Sequence, residues 1–133
     1  MKGPIPPSWS PRLLSVLRFI AAFLYMAHGT QKLFGFPVPA GFPIASMSLP
    51  WFAGWIETVG GGLLLLGLFT RPVAFLCSGE MAVAYFTQHV PHGFWPLLNH
   101  GELPVLFCFI FLYLAAAKPG PWSVDARGRG GPS

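Results

Sequence analysis

The chain has 133 residues, of which 53% are hydrophobic and only 9% charged, with a formal net charge of +4. Soluble domains of this size carry roughly a quarter charged residues, so composition excludes an ordinary water-soluble domain and points to one membrane domain. The positive charge lies mostly at the chain ends and in one short turn. There is no basic stripe, which excludes a nucleic-acid partner.

Residues 1–11 read as a Pro-rich N-terminus, followed by a first apolar helix over about 12–34. Ser10 and Pro11 supply an N-cap and a first-turn proline, and Gly35 and Pro37 stop the helix. Lys2 and Arg12 before an apolar run could suggest a secretory signal. Arg18 interrupts that run, and Ala27-His28-Gly29 makes a poor cleavage site, so the segment reads as a retained transmembrane helix.

The connection 36–50 carries four prolines and no charge, together with Phe36, Val38, Phe42, Ile44 and Met47. Its apolarity predicts an interfacial segment or a lid over the bundle mouth. A second helix is expected over about 51–69, a third over 72–90 and a fourth over 99–117. Each is about 19–23 residues, enough at about 1.5 Å per residue to cross a ~30 Å hydrocarbon core. Starting the fourth at Pro104 would leave it too short, so Asn99 is taken as its cap, with Glu102 three residues on. Residues 119–133 are expected to form a flexible tail. The expected fold is therefore an all-α membrane protein, a four-transmembrane-helix bundle with the membrane domain at 12–118.

Lys2, Arg12, Arg71, Lys118, Arg127 and Arg129 fall at the termini and in the 70–72 turn, whereas 36–50 and 91–98 hold no Lys or Arg. By the positive-inside rule both termini are expected to be cytoplasmic. Cys77 and Cys108 lie inside apolar stretches without CxxC spacing and read as buried reduced thiols.

Charges inside apolar segments are costly and need a partner or a purpose. Arg18, Lys32, Glu57 and Glu80 are such charges, and formally they sum to zero. At about 100° per residue Arg18, Tyr25, His28 and Lys32 share one face of helix one. Glu57 falls about 9 Å below the outer start of helix two, and Glu80 about 12 Å above the inner start of helix three. Two groups follow. Arg18, Glu80 and Tyr25 form a mid-to-inner set of buried ion-pair candidates. His28, Gln31, Lys32, Glu57, His89, Asn99, His100 and Glu102 form an outer set of binding-pocket candidates. A metal site among His89, His92, His100 and Glu102 is not expected, because Pro91 breaks the ligand spacing. Gly60, Gly61 and Gly62 read as a helix-packing surface rather than a cofactor loop.

The run containing Arg18, Tyr25, His28, Gly29, Gln31, Lys32, Phe34 and Gly35 resembles the first-helix signature of the DoxX family. So do Glu57 with Gly60 to Gly62, Arg71-Pro72, and Asn99-His100-Gly101-Glu102. The resemblance spans about residues 12–125, and its His-Gly-x-x-Lys element is the most specific part. It implies a small four-helix bacterial inner-membrane protein, some of whose relatives belong to quinone-linked systems or associate with redox and detoxification proteins.

Three functions follow as expectations. The first is a non-autonomous, quinone-linked redox subunit, with His28, Lys32 and Glu57 at the head group and no built-in cofactor. The second is a structural or assembly partner docking through 36–50. The third is a small-molecule or proton pathway, for which four short helices leave little room unless a homo-oligomer enlarges it.

Overall fold

The computed structural model describes residues 1–128, which are helical with no strand among them. Helix α1 spans Ser10–Phe34 after a short 3₁₀ turn, Pro7–Trp9. It starts two residues before the expected boundary, with Trp9 rather than Ser10 at the cap. It ends on Gly35, whose positive φ of 66° lets the amides of Gly35 and Phe36 return to Gln31 and Thr30 carbonyls.

Helix α2 spans Leu49–Leu66, opened by Ser48, whose Oγ accepts from the Trp51 amide. It stops three residues earlier than expected because Gly67, at φ 71°, closes it. Helix α3 begins at Thr70 and runs through Ala84 into a π turn, Tyr85–His89. A short helix α4, Pro96–Asn99, precedes α5, Glu102–Ala116, and the last described element is α6, Val124–Gly128.

The expected continuous helix 99–117 is corrected. His100 takes a left-handed conformation at φ 61°, and the chain turns a corner at Gly101. A side chain on Gly101 would collide with Tyr85 and with Asn99 Oδ1. At 15 residues α5 rises only about 22 Å. Two helices, Pro7–Phe34 and Leu49–Leu66, are long and apolar enough to cross a bilayer.

Helix α1 packs along α2, and α3 along α5. The α1–α2 crossing is tight because Gly29 sits where a Cβ would lie 2.5 Å from the Thr58 nitrogen. The core holds Ala22, Tyr25, Leu64, Ala74, Cys77, Phe111 and Leu114. Tyr25 meets Phe111 edge-on at 4.8 Å and Phe107 at 5.6 Å. Outward-facing positions are also apolar: Leu17, Phe19 and Phe23 on α1, Phe75 and Leu76 on α3, and Leu106 and Phe109 on α5 are all exposed. Apolar surface this extensive suits lipid, not water.

The expected flexible tail is corrected for residues 119–128; residues 129–133, including Arg129, lie outside the described residues. Pro119, Gly120, Ser123 and Ala126 are buried, beside the start of α1 and the α2–α3 turn. Ser15 Oγ accepts from the Trp122 amide, and Ser123 Oγ caps α6 through the Ala126 amide. Asp125 accepts from the amides of Phe69 and Thr70 at 2.9 Å each, placing a carboxylate on the N-terminus of α3. A tryptophan followed by a Ser-x-Asp sequence was the signal against disorder here.

Candidate functional site

The charged residues divide into two sites. Arg18, 2% exposed, donates its hydrogen bonds to main-chain carbonyls. Its Nε donates to the Leu64 carbonyl at 2.9 Å, Nη1 to Pro119 O and Nη2 to Trp122 O at 2.8 Å. The expected Arg18–Glu80 pair does not form. Glu80 lies beside Tyr25, two helical turns from Arg18, and the returning 119–128 segment supplies the oxygen acceptors instead.

The second site is a cavity of about 940 Å³ walled by α2 and α3 and floored by α1 and α5. Phe52, Ile56, Phe75, Leu76, Val83 and Phe107 make its apolar sides, and Phe42 reaches it from the 36–50 connection. Tyr25, His28, Lys32, Glu57 and Glu80 form one polar part of its lining, and Thr87, Gln88, His89, His92 and His100 another. Lys32 Nζ donates to Glu57 Oε1 at 2.6 Å, an ion pair in which Glu57 is fully buried. Tyr25 Oη donates to Glu80 Oε1 at 2.7 Å. Glu57 Oε2 is buried with no hydrogen-bond donor, although more than nine in ten buried polar groups find a partner.

Backbone geometry brings these groups together. Residues Ile56–Gly60 form a π turn around Glu57, and Tyr85–His89 form a second one on the facing helix. Such turns, which insert one extra residue into the helical ladder, recur at functional sites. Gly29 lets α1 approach the first of them closely. Sequence periodicity alone does not reveal a π turn, because the apolar pattern passes through it.

Of the outer candidates, His28, Lys32, Glu57, His89 and His100 line the cavity, as does His92. Gln31, Asn99 and Glu102 are not among its lining residues. Asn99 instead fastens the outer corner. Its Nδ2 donates to Gly93 O at 2.8 Å and Tyr85 Oη at 3.2 Å, and its Oδ1 accepts from the Gly101 amide. His89 Nδ1 lies 2.9 Å from the Asn99 carbonyl, which makes that nitrogen the donor. Glu80 and Tyr25, grouped from sequence with Arg18 as buried ion-pair candidates, line the cavity. Cys77 and Cys108 are both free thiols, with Cys77 buried beneath the cavity floor.

The DoxX family model matches residues 13–90. An uncharacterized protein of Haemophilus influenzae is 40% identical over 124 residues, covering 90% of this chain and 92% of the relative. An uncharacterized membrane protein of Mycobacterium tuberculosis is 29% identical, covering 94% and 91% respectively. The inner membrane protein YphA of Escherichia coli is 28% identical, covering 88% and 91%. No solved structure matches the chain. With more than half its length under the family model and a polar cluster set in an apolar helical fold, the chain belongs to the DoxX family of membrane proteins.

Proposed function

We propose that the chain is a multi-pass protein of the bacterial inner membrane with four spans and both termini cytoplasmic. Its cavity then lies toward the outer leaflet and holds a quinone or quinol as part of a redox assembly whose electrons are carried by a partner protein. The distribution of Lys and Arg supports the orientation. The observation that carries the ligand reading is a long apolar cleft with ionisable groups gathered at one place on its floor. A ligand with a hydrogen-bonding head and a hydrocarbon tail matches both halves of that lining.

Titration of the purified protein in detergent with a short-chain quinone tests this. Saturable binding that weakens at least tenfold in Glu57→Gln is expected. Absence of saturable binding, or equal binding by the variant, overturns it.

One observation favours a second reading, an assembly role. The 36–50 connection exposes Phe36, Val38, Phe42 and Met47. A stoichiometric partner that is lost when Phe36, Val38 and Met47 are changed to serine, with quinone binding kept, would identify docking as the main activity.

A further inference from the structure

Glu57 Oε1 is taken by Lys32, and Oε2 is buried without any donor. The neighbouring acid is Glu80, which lines the same cavity as Glu57 and whose charge opposes that of Glu57 there. One cation therefore faces two carboxyls in a part of the molecule where an uncompensated charge is expensive. The other groups facing the pair are Tyr25, His28 and Lys32 from α1, and Cys77 from α3. The Tyr25 hydroxyl is already committed to Glu80 Oε1. None of these groups gives Glu57 Oε2 a donor.

We propose that Glu57 and Glu80 form a proton-sharing carboxyl pair that holds one exchangeable proton at the cavity floor. A single proton between the two carboxyls supplies the missing donor and leaves Lys32 balanced by one negative charge. Carboxyl pairs that share a site behave in this way because both cannot ionise together at short range. The pair sits in the lining of an open cavity, so the proton can be exchanged with an occupant.

For the ligand class proposed above, on which only this last role rests, the step is a simple proton transfer. The O–H bond at the pair breaks, one forms on a phenolate oxygen of the ligand, and no electrons move.

Infrared difference spectroscopy of the full chain in liposomes at neutral pH tests the pair. A protonated-carboxyl carbonyl band that shifts in D₂O is expected in the wild type and is expected to be lost in Glu80→Gln and in Glu57→Gln. Glu80→Gln should melt close to wild type, because its amide N–H replaces the shared proton as donor to Glu57. No such band in the folded wild type, or a band that survives in both variants, overturns the proposal. Addition of a short-chain hydroquinone should perturb the band. A band that vanishes in Glu80→Gln yet ignores the hydroquinone supports the proton-sharing pair and counts against the quinone reading alone.

Discussion

Two buried polar clusters lie at different depths of the same bundle, and they are built on opposite plans. By the α2–α3 turn Arg18 is matched by three carbonyl oxygens from the end of α2 and the 119–122 stretch, and Asp125 accepts from two amides. There both charged groups find partners, and the Thr70 hydroxyl beside them is a buried polar group without one. Beside the cavity the same kinds of group are under-matched, with one lysine, two glutamates and a carboxylate oxygen without a donor. A saturated cluster fixes architecture, because any rearrangement costs hydrogen bonds. An unsaturated cluster on a cavity retains capacity for a ligand or a proton.

The largest way to break this contrast is at the Arg18 cluster. Arg18→Ala strands three buried carbonyls and releases the 119–128 segment. A loss of about 3–5 kcal/mol is the scale for breaking such a buried charged network, so folded yield in mild detergent should fall sharply. Ending the chain after Lys118 should do nearly as much damage.

Gly29→Ala comes next. Its methyl would meet the Thr58 nitrogen at 2.5 Å and Glu57 Cβ at 2.8 Å. Overpacking typically costs about 1–3 kcal/mol, and here it should also displace Glu57, so lowered melting temperature and weakened quinone binding should appear together. Asp125→Asn keeps one acceptor but removes the charge from the start of α3. A loss of about 1 kcal/mol is expected, read as a small drop in melting temperature with quinone affinity unchanged. Phe42→Ala is the mildest. It should leave melting unchanged and speed quinone dissociation several-fold, because it opens one wall without touching the ionisable groups.

Much of the fold was legible because it rests on local signals. Gly35 stops α1 by capping chemistry that sequence displays directly, whereas the Ser48 cap and the Gly67 stop set ends of α2 that differ from the expected 51–69. Depth along the helices put His28, Lys32 and Glu57 in one group, and the structure joins Lys32 to Glu57 as an ion pair. What was not legible is long-range. Arg18 finds its acceptors 46 to 104 residues away, on carbonyls that any residue type could present. Glu80 was placed with Arg18 because depth estimates assumed straight helices, whereas it pairs with Tyr25 and reaches toward Glu57. Asn99 was read as a pocket group, yet its side chain is consumed by the turn it fastens. The same polar residue type serves a ligand or a corner depending on which backbone groups surround it, and those come from loop geometry.

The most direct test of the contrast between the two clusters is the amount of quinone retained per protein after mild extraction from native membranes, measured by mass spectrometry. Near-stoichiometric quinone in the wild type, lost in Glu57→Gln and kept in Asp125→Asn, is the expected result. No quinone in the wild type, or equal retention in both variants, would contradict it.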